Sequence, residues 1–256
     1  MVTFTQAQLL AWISPLLWPF LRTLALFTAA PMLSQRAVPV RLRIALSALI
    51  AIAAQPALTG VPVPSLSDPS ALLVSAQQVL VGLAMGFAVR VAFAAVEFGG
   101  ELMGLQMGLN YASFFDPSSG GSSNGVARFL GTLAMLVFIA ADGHLFMIGA
   151  VVRSFEVFPA GADMHTVLAA FSPQRLGAEL FQVGLWLALP VVGIVLAVNL
   201  ALGVVSRVVP QMNIFAVGFP ITLATGLIGL VLTLPFMEIP LATLVERALP
   251  MFSPLR

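Results

Sequence analysis

The sequence predicts an all-α membrane protein, and three observations carry that prediction. Of its 256 residues, 60% are hydrophobic and only 8% are charged, whereas soluble domains carry about a quarter charged residues. The mean hydropathy is +1.05, so a soluble fold would have too little polar surface to cover itself. The apolar residues are also gathered into runs close to the ~20 residues that cross a bilayer as a helix, and no stretch between them is polar enough to be a soluble domain.

The expected spans, in order, are Leu9–Ala30, Leu42–Ala57, Ala71–Val96, Val126–Val152, Leu180–Val205 and Ile214–Met237, with a short terminal piece at Leu241–Met251. The first run has no basic residue before Arg22. It therefore lacks the charged start of a signal peptide, and it is expected to be retained. Pro31–Arg43 holds three Arg and two Pro, which places this loop on the cytoplasmic side by the positive-inside rule. Gln55–Ser70, rich in Pro and Ser with Asp68 as its only charge, then falls outside. Arg153–Glu179 is the longest mixed stretch, and Ser206–Met212 is a short basic turn. That turn joins the two most apolar runs, which together read as a tight helical hairpin.

Some features disagree with a bundle of straight spans. Pro15, Pro19, Pro190, Pro220 and Pro235 fall inside apolar runs, where each removes a helix hydrogen bond and is expected to bend or break the helix. Arg22, Arg90, Glu97, Glu101, Arg128 and Asp142 lie inside or beside the runs. Each costs about 2.5–3.5 kcal/mol at a bilayer centre on insertion scales, so each is expected to face protein or water.

Composition also bounds the chemistry. A net charge of +1 gives no basic field for nucleic acid. All eleven basic residues are Arg, which keep their charge when desolvated and make forked contacts suited to interfaces. The chain has no Cys, which excludes disulfides, thiolate catalysis and Cys-based zinc sites. His144 and His165 lack metal-ligand spacing, and no cofactor is expected. No Ser-His-Asp set, nucleophile elbow, HExxH or P-loop is present. "DGHLF", Asp142–Phe146, reads as a polar helix position with a satisfied hydrogen bond rather than a catalytic dyad. The chain is therefore expected not to be an enzyme.

Three constellations remain. Gly100, Gly104 and Gly108 recur every four residues and would form a smooth helix stripe against which another backbone packs. Glu97 and Glu101 share that spacing and would repel by about a few tenths of a kcal/mol if unrelieved. With Arg90 and Arg128 they read as a polar lining or as ion pairs with another subunit, or else as the wet end of a helix. Asn199, Arg207, Gln211 and Asn213 gather around the hairpin turn, as an ordinary turn or as a docking surface for another subunit. Last, "QMGLNYASFFDPSSGGSSNG" sets the bulky Tyr111, Phe114 and Phe115, followed by Asp116-Pro117, before a Ser/Gly run. Irregular backbone at membrane depth is tolerated where it lines a water-filled cavity, and bulky apolar residues can close a pore. Composition alone leaves plug and linker open.

Four phrases together settle on a resemblance: "APMLSQRAVPVRLRIALS" (Ala30–Ser47), "GELMGLQMGLNYASFFDP" (Gly100–Pro117), "DGHLFMI" (Asp142–Ile148) and "VPQMNIFAVGFPITL" (Val209–Leu223). The chain resembles the FliR/SctT family of type III export-gate proteins over nearly its whole length, and "GLQMG" is closest to the flagellar branch. The resemblance implies bent helical hairpins packed in a hetero-oligomeric gate, partly above the bilayer of the bacterial inner membrane at the flagellar basal body. It implies a FliP-like part at residues 1–175 and a FliQ-like hairpin part at 176–256. It implies FliP, FliQ, FlhB and FlhA as partners, membrane lipids as surroundings, and unfolded flagellar subunits as cargo. It also implies a plug loop at Gln106–Ser123, with Gln106, Met107, Tyr111, Phe114, Phe115 and Asp116 as its members. The "SSGGSSNG" segment departs from the family in being unusually small. The competing readings are a virulence-type secretion gate subunit, a poreless scaffold and a small-solute transporter with broken helices at a midplane site; no internal repeat supports the last.

Overall fold

The computed structural model describes residues 5–35, 38–58, 64–110, 124–209 and 214–236. All regular structure among them is helical: α1 (Gln6–Ala29), α2 (Pro31–Ser34), α3 (Val40–Ala54), α4 (Ala71–Gln106), α5 (Gly125–Ala140), α6 (Gly143–Val157), α7 (Met164–Ala170), α8 (Pro173–Val208) and α9 (Ile214–Thr233), with single 3₁₀ turns at Gln55–Leu58 and Leu234–Phe236. Among the described residues, four helical segments are long and apolar enough to cross a membrane, or five if α5 and α6 count as one broken span. The expected all-α membrane class is thus found.

The described residues form two compact units. One draws on Met1–Val91 and Ile139–Leu176, the other on Ala92–Phe138 and Gly177–Thr243. These units interleave along the chain.

In the first unit, α1 opens with a capping box. Thr5 Oγ1 accepts from the Gln8 amide at 3.4 Å and Gln8 Oε1 accepts from the Thr5 amide at 3.0 Å, which satisfies two of the orphan donors at the helix start. α1 stops at Ala30, held extended (φ −67°, ψ 131°) ahead of Pro31, because a residue before proline is driven out of the helical region. α1 packs along α3 and against the first half of α4. There Gly82 faces Arg22 and Ala25, and Gly86 faces Leu26 and Ala29. A Cβ on Gly86 would lie 2.6 Å from Ala29 Cβ and 2.7 Å from Leu26 O, so two glycines four residues apart let the backbones touch.

Arg22 is fully buried at the centre of this unit. Its Nε donates to Gln78 Oε1 at 2.9 Å, Nη1 to Ser154 Oγ at 2.7 Å and Nη2 to Phe158 O at 2.7 Å. The guanidinium also lies 3.6 Å from the centre of the Phe155 ring. Gln77 extends the network, accepting from Gln78 Nε2 at 3.2 Å and from the Gly161 amide at 2.9 Å, and donating to Pro159 O at 3.2 Å. Arg22 thus faces protein, as expected of a charge in an apolar run. Neutral oxygens and an aromatic face hold it.

In the second unit, the end of α4 packs on α5, α8 and α9. Val126, Ala127, Leu130, Ala134 and Phe138 form the buried stripe of α5, and Phe138 meets Phe93 edge to face at 5.4 Å. Burying one such ring contributes about 1.5–3 kcal/mol. Gly99 and Gly184 meet backbone to backbone, beside an edge-to-face pair of Phe98 and Phe181 at 5.1 Å. Gly229 on α9 sits against Val191 and Ile194 on α8. These residues lie equally far from the α8–α9 connection, which is the register of an antiparallel pair and fits the expected hairpin.

Several boundaries differ from expectation. α4 runs on to Gln106, ten residues beyond the expected Val96, because tertiary contacts carry the helix past the end of its apolar run. The single span expected over Val126–Val152 is two helices, broken at Asp142. Asp142 adopts a left-handed φ of 55°, a conformation that Asp tolerates better than most residues. Pro15, Pro19, Pro190 and Pro220 do not break their helices. Pro19 cannot donate to the carbonyl of Pro15, and Gln55 Nε2 donates to it instead at 2.8 Å. The terminal piece at Leu241–Met251 lies outside the described residues.

Candidate functional site

The last turn of α4 is closed by a Schellman arrangement. The Leu109 amide bonds Gly104 O at 2.9 Å and the Gly108 amide bonds Leu105 O at 3.1 Å, with Gly108 at φ 83°. That geometry ends a helix with a glycine just past its last turn. Gly108 therefore terminates α4, and the expected helix-packing stripe extends only through Gly100 and Gly104. Both are covered within the chain. A Cβ on Gly100 would lie 2.9 Å from the Ala127 amide nitrogen, and one on Gly104 would lie 2.6 Å from Asn124 Oδ1.

Asn124 is the first described residue after the expected plug segment. Its Oδ1 accepts from the Ala127 amide at 2.9 Å and so caps α5, as Asn does at a helix start. Glu101 meets Asn124 with both carboxylate oxygens: Oε1 accepts the Asn124 amide at 2.9 Å and Oε2 accepts Asn124 Nδ2 at 2.9 Å. Asn124 Nδ2 also donates to Glu101 O at 3.2 Å and to Asn110 Oδ1 at 3.3 Å. The carboxylate strengthens these bonds through its charge. Glu101, expected in a polar lining, in an inter-subunit pair or at the wet end of a helix, is engaged inside the chain.

The other expected site residues are dispersed. Met107, expected in the plug, is fully buried and packs on Gly226 of α9, while its carbonyl accepts from Thr222 Oγ1 at 3.4 Å. Met107 thereby ties the end of α4 to α9 from within the core. Gln106 is half-buried at the end of α4. Tyr111, Phe114, Phe115 and Asp116 lie outside the described residues, as do Gln211 and Asn213. Arg90, Glu97 and Arg128 are exposed, with Glu97 Oε1 3.0 Å from where a Cβ on Gly131 would sit. Asn199 is half-buried and Arg207 exposed. They flank an exposed apolar stripe of α8 formed by Leu196, Leu200, Val204 and Val208, four apart and on one helix face. His144 Nδ1 is buried with no hydrogen-bond partner among the described residues, unlike the satisfied histidine expected. Among the described residues no cluster of three or more His, Asp or Glu could hold a metal.

Sequence reasoning missed Asn124 and the Gly82/Gly86 contact. The signals were present: an Asn immediately before an apolar helical run is a cap signature, and Gly82 and Gly86 repeat the spacing noticed at Gly100 and Gly104.

Comparison with known proteins places this geometry. The family model described as bacterial export proteins, family 1, matches residues 13–248. The chain is 44% identical over 235 residues to the flagellar biosynthetic protein FliR of Pectobacterium carotovorum subsp. carotovorum, covering 92% of this chain and 90% of that protein. It is 42% identical to FliR of Escherichia coli K12, over 89% of this chain and 87% of that one. It is 30% identical to FliR of Bacillus subtilis 168, over 83% of each. With the match running through both compact units, from α1 past α9, the chain belongs to family 1 of the bacterial export proteins.

Proposed function

We propose that the chain is a non-enzymatic channel subunit of the flagellar type III protein export gate, which helps form and close a pore for unfolded flagellar substrates. The observation that carries this reading is near-full-length similarity, at 44% identity, to a flagellar biosynthetic protein. In this reading the chain resides in the bacterial inner membrane as a multi-pass subunit at the flagellar basal body. It assembles with FliP and FliQ and contacts FlhB and FlhA. Residues 1–175 correspond to a FliP-like part and 176–256 to a FliQ-like part. The exposed stripe of α8, flanked by Asn199 and Arg207, is the docking surface for a neighbouring subunit, with Gln211 and Asn213 of the following turn as further members. Exposed Arg90, Glu97 and Arg128 line the polar path or pair with charges of other subunits. The loop after Gln106 carries the seal, with Tyr111, Phe114, Phe115 and Asp116 as its members.

Two experiments test this. The tagged chain, expressed with its genomic neighbours, is expected to copurify with FliP and FliQ; recovery as a stable solute-binding monomer would refute the assignment. Replacing Phe114 and Phe115 with Ala is expected to raise ion leak across the cell membrane. Unchanged conductance together with unchanged flagellin secretion would refute the seal.

A further inference from the structure

In the first unit, one face of α4 carries an exposed apolar stripe. Leu72, Val79, Leu83 and Phe87 are exposed along it, and steps of seven and four residues keep them on a single helix face. Arg90 is exposed as well. It stands one turn beyond Phe87 and about five turns from Leu72, on that same face. Beside the stripe lies a groove of about 260 Å³, lined by Leu80, Leu83, Ala84 and Phe87 and, across from them, by Val167 and Phe171. Phe171 meets Phe87 edge to face at 6.0 Å. Every described residue that lines the groove is apolar, so no side chain there can hydrogen-bond an occupant.

The two ends of the stripe differ in charge. The exposed Asp68 precedes Leu72. At the other end Gly86 abuts Ala29 and Ala30, just ahead of the segment that holds Arg41 and Arg43, and Arg175 is exposed just past Pro173. At about 1.5 Å per residue, Leu72 to Arg90 spans about 27 Å, close to the ~30 Å hydrocarbon core of a bilayer, and Leu80 to Arg90 spans about 15 Å, the depth of one leaflet. We propose that the groove binds an anionic phospholipid, whose acyl chain lies between Leu80 and Phe171 and whose phosphate meets Arg90. An alkyl chain suits walls without hydrogen-bonding groups, where a polar ligand would lose its bonds to water unreplaced. The stem of Arg90 can lie along the apolar face while its head reaches headgroup depth, and the guanidinium takes a phosphate with a fork of donors. The positive-inside rule puts this end in the cytoplasmic leaflet, where anionic lipids gather. The proposal stands apart from the export-gate reading, and for Arg90 it replaces the polar-path role with a lipid one.

The test uses the full chain within the membrane assembly it copurifies with, reconstituted in phosphatidylcholine vesicles. The probe is phosphatidylglycerol with a photoreactive diazirine in mid-chain, and labelled peptides are read by mass spectrometry. Labelling is expected on the peptides around Leu83 and Val167. Unlabelled phosphatidylglycerol is expected to compete about fivefold better than phosphatidylcholine, the worth of one basic residue at an anionic surface. Arg90→Gln is expected to lower phosphatidylglycerol labelling about fivefold, while labelling by the same diazirine chain on phosphatidylcholine stays within about twofold of the parent. Arg90→Lys keeps the cation and is expected to retain most of the phosphatidylglycerol labelling.

Equal labelling of the parent by the two probes, or parental phosphatidylglycerol labelling in Arg90→Gln, would overturn the proposal. So would an unlabelled groove in the assembly, which would show another subunit seated on it. If Arg90→Gln fails to accumulate, Ala84→Val becomes the test, since it narrows the groove and leaves Arg90 in place. Reduced labelling by both probes then supports the acyl-chain site, and unchanged labelling overturns it. Altered ion conductance in Arg90→Gln with parental labelling refutes the lipid site and returns Arg90 to the polar path. None of these outcomes touches copurification with FliP and FliQ, on which the export-gate reading is judged.

Discussion

Arg22→Leu should be among the most damaging single changes in the first unit. The side chain is fully buried and bonds Gln78 Oε1, Ser154 Oγ and Phe158 O. Ser154 keeps a partner when Arg22 is removed, since its hydroxyl also lies 2.6 Å from Val151 O. Gln78 Oε1 loses the donor Arg22 supplies, at about 1–3 kcal/mol for a buried unsatisfied acceptor, and Phe158 O loses one charge-assisted bond, about 1.5 kcal/mol. Loss of the guanidinium from the Phe155 face removes about 2 kcal/mol more for a desolvated contact. Against these stands the relief of no longer burying a charge, which offsets part of the loss. The net expectation is a loss of about 4 kcal/mol, or about 8–16 °C in Tm for a chain of this size. The assay is thermal unfolding of the detergent-solubilised chain, followed by loss of monodispersity. Arg22→Lys should fall between Leu and parent, because one ammonium cannot span three acceptors in a fork. Arg22→Leu with Gln78→Leu should recover part of the loss by removing one stranded acceptor. An Arg22→Leu Tm within about 2 °C of the parent would refute this account of the core.

Gly86→Val should destabilise the first unit by about 1–3 kcal/mol through overpacking against Ala29 and Leu26, read as lower Tm and greater protease sensitivity; an unchanged Tm would show that α1 and α4 can part there. Gly108→Ala should cost about 1–2 kcal/mol for a left-handed backbone, and Gly108→Asn should recover part of it, with Tm again the measure. Asp142→Val should cost about 1–2 kcal/mol for the same reason, while Asp142→Gly should be neutral or slightly stabilising. Equal effects of Val and Gly at position 142 would mean that the break does not depend on backbone conformation.

The class of the fold was legible because composition and run length fix it, and most helix centres fell where the apolar runs lie. The errors were at boundaries, and they share a cause. Val96 looked like the end of α4 because hydrophobicity stops there. The helix continues because Gly99, Gly100 and Gly104 bring it against Gly184, Ala127 and Asn124, and such contacts are invisible in a linear reading. The break at Asp142 was written in the sequence as Asp-Gly, a turn signal, but the surrounding apolar residues outweighed it. Glu97 and Glu101 looked alike by spacing; only the return of the chain at Asn124 distinguishes them. Arg22 was marked as a charge needing protein around it, yet its partners lie 56 to 136 residues away. No local pattern names such partners.

The bond from Gln55 to the carbonyl of Pro15 has a consequence for how α1 and α3 find each other. A proline at position 19 leaves one acceptor open on the flank of an otherwise self-satisfied helix. Within lipid no water can fill it, and a slip of α3 by one helical turn, about 5.4 Å, would strand both the carbonyl and the Gln55 amide. The proline thus works as an address on the side of α1. It turns a featureless apolar contact into one with a single permitted alignment, and that alignment is chosen by the absence of a hydrogen atom.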